Sequence, residues 1–220
     1  MTAHTFIFQG ETLLALPSGG LFWPAQRVIC VSDLHLGKSD RMARRGGPLL
    51  PPYETIATLD RLAQDIAATD PATVICLGDS FDDVTAAETL ADAPKDRLST
   101  LMAGRRWVWI SGNHDPGPIN LGGTHLADYR HGRLVFRHIA APPATGEVSG
   151  HYHPKARLVL RGRRLSRPCF LFDRDRLILP AYGAYTGGLF CDRPALAELM
   201  ASGAEAILLG TPPIRLPMPR

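Results

Sequence analysis

Three short apolar segments, each followed at once by polar residues, constrain the fold of this chain most. The segments are residues 27–31, 73–77 and 106–110. Their continuous apolar character is typical of parallel strands that are buried on both faces. Residues 56–66 show helical spacing, and residues 84–103 predict a helix in two pieces divided at Ala93-Pro94. The first half of the chain therefore predicts βαβ units with a largely parallel sheet.

The second half predicts a different structure, because its apolar segments are short and are separated by Gly, Pro and Asp. Short strands are predicted at residues 134–137, 147–149, 157–160, 169–172 and 176–179. A helix at 194–201, a last strand at 206–209 and an extended, Pro-rich tail from 212 to 220 follow. The pattern predicts a two-sheet sandwich with helices outside. Since 220 residues are typical of one domain, we expect residues 1–220 to form a single domain.

Composition places the chain among globular proteins of ordinary kind, with 45% hydrophobic and 20% charged residues. No apolar run approaches the roughly 20 residues that span a bilayer. The first residues lack the basic and apolar parts of a signal peptide, so a cytoplasmic protein without membrane contact is predicted. The four cysteines show no C-x-x-C spacing and are predicted to be buried free thiols.

Oxygen and imidazole donors are concentrated in four fragments. The fragments are Ser-Asp-Leu-His-Leu-Gly at 32–37, Gly-Asp-Ser-Phe-Asp-Asp at 78–83, Gly-Asn-His-Asp at 112–115 and Gly-His-Tyr-His-Pro at 150–154. Three of them directly follow the apolar strands, where open α/β sheets place their sites. Extended residues two apart point the same way, so Asp33 with His35, and His151 with His153, can converge on an ion. The set suits a pair of divalent metals.

The mixture of charged and neutral donors indicates phosphate chemistry. Two divalent ions bring about +4, and the carboxylates of Asp33 and Asp79 bring about −2, which leaves positive charge for a hydroxide and a phosphate. His114 is then free to face the substrate, where it can protonate the leaving oxygen or stabilise the phosphoryl charge, with Asp115 expected to hold its other nitrogen. Asp82, or the adjacent Asp83, is expected to be a structural hydrogen-bonding residue or a helix N-cap.

These fragments resemble the calcineurin-like metallophosphoesterase superfamily, whose pattern is D-x-H, G-D, G-N-H-[D/E], a solitary His and G-H-x-H. The resemblance implies a four-layer αββα sandwich. It also implies that His138 is the solitary histidine, with His125 and His131 as rivals that lie before the predicted strand, and that His114 is catalytic without binding metal. The implied ligands are Asp33, His35, Asp79 and His153 for one ion, and Asp79, Asn113, His138 and His151 for the other.

Within the superfamily, the chain is most similar to the ligase-associated DNA-damage-response endonucleases (PdeM-like). The similarity rests on residues 32–38, 137–138, 150–154, 180–183 and 186–188. It implies hydrolysis of DNA phosphodiesters by a metal-bridging hydroxide in DNA repair, and association with a DNA ligase and a helicase. The donors suit manganese, iron or zinc, and the resemblance favours manganese.

Two basic clusters favour a polyanionic substrate. They contain Lys38, Arg41, Arg44 and Arg45, and then Lys155, Arg157, Arg161, Arg163, Arg164, Arg167, Arg174 and Arg176. The residues predicted to contact substrate are Lys38, Arg41, Tyr152 and Lys155.

Two other functions compete with a nuclease. The first is a phosphoesterase for a nucleotide or for a UDP-linked lipid precursor. Enzymes acting on that lipid carry an apolar helical cap, whereas residues 116–134 here are polar and Gly-rich. The second is a non-catalytic binding scaffold on the same fold. Such relatives generally lose ligands, and this chain retains all seven as well as His114.

Overall fold

Two β-sheets form the centre of the structure, a computed structural model that describes residues 2–117, 120–142, 145–160 and 162–220. The first sheet has β1 to β4 antiparallel and β4 to β7 parallel. In spatial order its strands are β1 (His4–Phe8), β2 (Glu11–Ala15), β3 (Leu21–Trp23), β4 (Val28–Val31), β5 (Thr73–Cys76), β6 (Arg106–Ile110) and β7 (Thr124–Leu126).

The second sheet is also mixed, and it follows the order β15-β14-β12-β13-β10-β9-β8, with β11 paired to β12. Within it, β9, β10 and β13 run parallel to one another. Its strands are β8 (Asp128–His131), β9 (Leu134–Arg137), β10 (Glu147–Ser149), β11 (Lys155–Leu160), β12 (Arg163–Phe172), β13 (Arg176–Ile178), β14 (Glu205–Leu208) and β15 (Ile214–Pro217).

Helices cover the outer faces of both sheets unequally. Over the first sheet, Leu59 and Leu62 pack with Ile29 and Val74 in one apolar cluster. Over the second, the short α5 contributes Leu196 to a smaller cluster. The helices are α1 (Lys38–Arg44), α2 (Glu54–Thr69), α3 (Val84–Glu88), α4 (Asp92–Met102) and α5 (Pro194–Ala197), with a 3₁₀ turn at Pro24–Gln26. No helix among the described residues is long and apolar enough to cross a membrane.

The main core lies between the two sheets. Alternation along β1 and β2 turns Phe6, Phe8 and Leu13 inward, where they meet Phe136 and Phe170 of the second sheet. All four residues of β4 are buried, because this strand has the core on one face and helices on the other. The predicted sandwich of two mixed sheets flanked by helices is therefore confirmed. The four cysteines are buried and free, as predicted.

Several predicted details are wrong in instructive ways. Pro94 does not divide the second helical region but lies in the first turn of α4, where its missing N–H costs no hydrogen bond. The break lies between α3 and α4, at residues 89–91. The last predicted helix ends at Ala197 instead of 201. The tail is extended as predicted, and within it β15 also pairs antiparallel with β14.

A buried polar cluster connects α2 to the segment that follows β13. Asp65 accepts hydrogen bonds from the Ser18 hydroxyl at 2.6 Å and from the Tyr182 hydroxyl at 2.8 Å. The Tyr182 carbonyl accepts from Arg61 at 2.7 Å. Burial, opposed by both hydroxyl contacts, raises the pKa of Asp65. These contacts attach residues 180–184 to the helical layer.

We expect Tyr182→Phe to lower the free energy of unfolding by about 1–2 kcal/mol, because the buried Asp65 carboxylate loses one of its donors. The matched control is Tyr185→Phe, since Tyr185 is half exposed and its hydroxyl should contribute less than about 0.5 kcal/mol. Urea denaturation followed by tryptophan fluorescence measures both variants. Equal effects of the two substitutions would contradict a structural role for the Tyr182–Asp65 contact.

Candidate metal centre

The predicted ligands lie in loops that leave the carboxyl ends of strands from both sheets. In the first sheet the loops follow β4, β5 and β6, which are parallel neighbours and so end at the same edge. In the second sheet the loops follow β9 and β10, which are also parallel. The loops carry Asp33 and His35 after β4, Asp79 after β5, Asn113 after β6, His138 after β9, and His151 and His153 after β10.

Left-handed backbone conformations are concentrated at these loops. Five predicted ligands have positive φ angles, although none is glycine: Asp33 (54°), His35 (46°), Asp79 (46°), His151 (67°) and His153 (47°). Such conformations cost non-glycine residues free energy and persist where surrounding contacts impose them. Because five candidate ligands share this costly conformation, we infer that the surrounding contacts impose it and thereby orient the five side chains toward the site.

Two glycines allow the loops to approach one another closely. At Gly78, with φ of +76°, a Cβ atom would lie 2.6 Å from the His138 ring. At Gly112, a Cβ atom would lie 2.2 Å from the backbone nitrogen of Asp79. Any larger residue at either position would separate the loops that carry the donors.

The first cluster of donors joins the two sheets. Asp33, His35 and His153 each offer a ligand atom, and these atoms lie within 4.8 Å of one another. His153 Nε2 is 3.0 Å from Asp33 Oδ1. The other oxygen, Asp33 Oδ2, accepts from the Ser32 hydroxyl and from the His151 N–H at 3.1 Å. Oδ1 is thus the oxygen that remains for an ion.

The second cluster contains Asp79, His138 and His151, again within 4.8 Å. His138 Nδ1–H donates to the Leu77 carbonyl at 2.7 Å, which leaves Nε2 without a proton in the neutral ring. Nε2 faces Asn113 Oδ1 at 3.0 Å and Asp79 Oδ2 at 3.3 Å. An imidazole oriented by a backbone carbonyl and directed at oxygen donors is the usual arrangement of a ligating histidine.

The structure places His138, and neither rival histidine, among these donors. His131 contacts the Tyr129 hydroxyl at 3.0 Å and Gln26 Oε1 at 3.1 Å. His125 stacks on Trp109, with ring centroids 6.3 Å apart. The position of His138 at the end of β9 explains the difference.

Several donor atoms are placed for binding a cation and do not form good hydrogen bonds with one another. Asp33 Oδ1, His35 Nε2 and His153 Nε2 are buried and have no hydrogen-bond partner of acceptable geometry among the described residues. Buried polar atoms without partners are costly, so a native site that collects them indicates an additional group. Carboxylate oxygen, amide oxygen and imidazole nitrogen together match manganese, iron or zinc. The residues present therefore fit two divalent ions, Asp33 lying 3.9 Å from His138 where the clusters meet.

The pKa directions follow from these contacts. Burial alone would raise the pKa of Asp33, but His153 and His138 hold it below its ordinary value. Burial also opposes the ionised form of Asp79, yet His138 and the His114 N–H lower the pKa of that carboxyl to about 2. The pKa of His151 is lowered by burial and by His138. Carboxylates and a neutral imidazole are the forms that bind metal.

His114 lies at the mouth of the site, with its side chain 28% exposed. Its Nδ1 is 2.7 Å from the Asp82 carbonyl, and its Nε2 is 4.0 Å from Asp79 Oδ2. The predicted contact between Asp115 and this ring is wrong. A main-chain carbonyl, which has no signature in the sequence, orients the ring instead.

Asp115 instead joins the loops after β5 and β6. Its carboxylate accepts from the N–H groups of Asp79 at 2.9 Å, Ser80 at 2.7 Å, Phe81 at 3.1 Å and Gly112 at 3.1 Å. Burial is the largest influence on this carboxyl and raises its pKa to about 6. Asp115 is therefore a positioning residue for the donors.

Asp82 is a structural hydrogen-bonding residue, as predicted, although the sequence did not indicate its partners. This buried carboxylate lies 2.8 Å from His35 Nδ1, 2.8 Å from Arg41 Nη1 and 3.7 Å from Lys38 Nζ. Burial opposes ionisation, but His35 and Arg41 hold the pKa of Asp82 well below its ordinary value. Asp83 is the helix cap, accepting from the Ala86 N–H at 2.7 Å. The substrate-binding role of Lys38 and Arg41 stays a prediction, and both are already paired.

The remaining predicted substrate contacts are partly buried. Tyr152 meets the His151 ring edge to face, with centroids 5.0 Å apart, and Lys155 lies in β11. In the second basic cluster, Arg176 is buried against Glu147 at 2.6 Å, and Arg157 stacks on Phe190. Arg161, and the side chains of Arg163 and Arg164, lie outside what the structure describes.

We expect Asp115→Ala to lower the free energy of unfolding by about 3–5 kcal/mol, because several buried N–H groups lose a charged acceptor. The neighbouring substitution His114→Ala, at a partly exposed ring, should cost less than about 1 kcal/mol. Denaturation in the presence of EDTA measures the protein alone, without a contribution from bound metal. Similar losses for both variants would contradict the assignment of Asp115 to the loops.

Comparison with known proteins agrees with this geometry. A family model described as calcineurin-like phosphoesterase matches residues 26–184. The crystal structure of Pseudomonas putida nuclease MPE is similar in fold, with a TM-score of 0.75 and 30% sequence identity, over 96% of this chain and 100% of that chain. A comparison with curated proteins finds no match. The match over most of its length shows that the chain belongs to the calcineurin-like phosphoesterase family and is a metal-dependent phosphoesterase.

Proposed function

We propose that this chain is a nuclease that hydrolyses DNA phosphodiesters with the help of two divalent ions. The observation that carries the proposal is the meeting of two donor clusters, Asp33–His35–His153 and Asp79–His138–His151, at the strand ends of both sheets. The likeness to a solved nuclease at 30% identity supports the choice of substrate. Manganese, a role in DNA repair, a cytoplasmic location and association with a ligase and a helicase stay predictions.

The chain's residues divide the work between holding ions and holding substrate. Asp33, His35 and His153 would hold one ion, and Asn113, His138 and His151 the other, with Asp79 as the predicted bridge between them. When bound, such ions supply Lewis-acid activation of water and of the phosphoryl oxygens. Asn113 and the histidines add no negative charge, so the site keeps its attraction for a phosphate group.

His114 is suited to deliver a proton to the leaving oxygen. Its Nδ1–H donates to the Asp82 carbonyl, which fixes the ring and leaves Nε2 directed toward the site. In the protonated ring, Nε2–H is the group that would be transferred. Nε2 lies 4.0 Å from Asp79 Oδ2, so the ring stands beside the predicted metal ligands. The backbone N–H of His114 also donates to Asp79 Oδ1 at 2.8 Å, so the proton donor and the predicted bridging ligand are held together.

The first test is hydrolysis of bis-p-nitrophenyl phosphate and of single-stranded DNA with added manganese. We expect wild-type protein to cleave both, and His114→Ala to reduce kcat on DNA by about 10²–10⁴ because the alkoxide leaving group loses its proton donor. The loss on the p-nitrophenyl diester should be smaller, because p-nitrophenolate leaves without being protonated. The bound manganese of the variant should be unchanged when measured by mass spectrometry, since His114 is not assigned as a ligand.

The outcomes separate the competing functions. Cleavage of the small diester without DNA would overturn the nuclease proposal and favour a nucleotide or lipid-linked substrate. No turnover of either diester by metal-loaded protein would favour a binding scaffold.

Metal removal tests the donor assignment. Dialysis against EDTA should abolish hydrolysis, and manganese should restore it. Asp79→Asn should lower both metal content and activity. A neutral amide is a weaker metal ligand than a carboxylate, and it lacks the negative charge with which Asp79 would hold two cations close together. The control is Asp60→Asn, which changes an exposed carboxylate on α2 that pairs with Arg97. Full metal content in Asp79→Asn would count against the proposed bridge.

A further inference from the structure

A cavity of about 530 Å³ opens on the face of the second sheet that is turned away from the main core. Its lining includes Gln9, Arg130, Arg133, Val135, Arg137 and Glu147. This volume lies within the range of small-ligand sites, and three of the residues are arginines. The cavity is separate from the two donor clusters, and no step in the proposed hydrolysis uses it.

Strand register explains why charged residues meet there. Arg130 of β8 lies opposite Val135 of β9, which lies opposite Glu147 of β10, and Glu147 pairs with Arg176 of β13. The adjacent register row, which begins with Tyr129, points into the main core. Because side chains alternate along strands, the charged row faces outward.

The negative charge in this row is already neutralised. Glu147 accepts from Arg176 Nε at 2.6 Å and from the Ala141 N–H at 2.9 Å. Arg130 and Arg133 are exposed and form no ion pair with any residue in the described ranges. The guanidinium groups of Arg130 and Arg133 therefore line a cavity in which the Glu147 carboxylate is already paired with Arg176.

The cavity adjoins the metal centre. A groove of about 230 Å³ is lined by Asn113, His138 and Arg137, among others. Arg137 lines both the groove and the cavity, and it lies 3.3 Å from Asp128 and 3.6 Å from Glu147. A chain molecule with its phosphate at Asn113 and His138 can thus continue past Arg137 toward Arg130 and Arg133.

The lining also indicates which part of a ligand is recognised. Among the described residues, no aromatic side chain lines the cavity, so it offers no surface for base stacking. Arginines that contact phosphate hold a strand in place without reading its sequence. On the other side of the site, Lys38 and Arg41 are paired with Asp82.

We propose that the Arg130–Arg133 cavity binds the backbone phosphates of a nucleic-acid strand next to the phosphodiester being cleaved. The inference rests on the proposed nuclease function and adds the path of the substrate. It makes the enzyme select polynucleotides over small diesters, because only a longer strand reaches both the metal centre and the cavity.

The test compares kcat/KM for single-stranded DNA with kcat/KM for bis-p-nitrophenyl phosphate. We expect the double variant Arg130→Ala/Arg133→Ala to lower the ratio at least tenfold through KM for DNA. Losing two phosphate contacts should also reduce the slope of log KM against log salt by about 1.4, since each contact on a single strand contributes about 0.7. Arg130→Lys/Arg133→Lys, which keeps the charge, should retain most of the ratio. Arg27→Ala/Arg97→Ala removes the same charge from ion pairs elsewhere on the surface and should leave the ratio as in wild type.

The possible outcomes distinguish failure of the cavity proposal from failure of the nuclease proposal on which it rests. If wild type cleaves DNA and the alanine variant keeps the wild-type ratio and salt slope, the cavity proposal is overturned while the nuclease proposal stands. If wild type cleaves only the small diester, the nuclease proposal fails and the cavity proposal fails with it. Should the alanine variant not fold, Arg130→Gln/Arg133→Gln removes the same charges with longer side chains and is judged by the same ratio.

Discussion

Main-chain contacts between loops determine where the ligand side chains lie, and the rest of the site depends on them. The loop after β4 is bonded to the loop after β5, with the His35 N–H donating to the Asp79 carbonyl at 2.9 Å. Asp115 attaches the loop after β6 to the same segment. In the second sheet, the Gly150 N–H donates to the His138 carbonyl at 3.0 Å. Because every loop is bonded to a neighbour, a shift in one would displace donors in both clusters.

The fold and the clustering of the candidate donors were predictable because both leave strong local signals. Buried parallel strands appear as continuous apolar runs, and candidate donors that follow parallel strands of the same sheet lie together at the carboxyl edge of that sheet. The orientation of His114 was not predictable, since a backbone carbonyl has no residue type. Nor was the pairing of Asp82 with Arg41 across 41 positions. The strands β7 and β8 were missed because their half-solvated sequences lack apolar runs, and β15 because its pairing with β14 depends on tertiary contact.

Basic residues on the two sides of the site differ in whether they are paired with acidic residues. The cations of α1 are bound by Asp82 and Asp83, so their charge serves to hold α1 against the loop after β5. In the second sheet, Arg176 pairs with Glu147, whereas Arg130 and Arg133 are exposed and form no ion pair with any residue that the structure describes. Counting basic residues along the sequence does not distinguish these cases, since ion pairing depends on which acids the fold brings near.

The energetics of the site separate what the protein organises from what a metal stabilises. The Asp115 bonds and the loop-to-loop bonds need no ion, so they can hold the five left-handed donors in place before metal binds. Asp33 Oδ1, His35 Nε2 and His153 Nε2 are buried without a well-formed hydrogen bond among the described residues, and a bound cation would offset that cost. The chain itself therefore places the donor atoms. Metal binding at this site would not require the surrounding loops to fold. In this respect it differs from small zinc domains, in which the metal supplies the folding free energy itself.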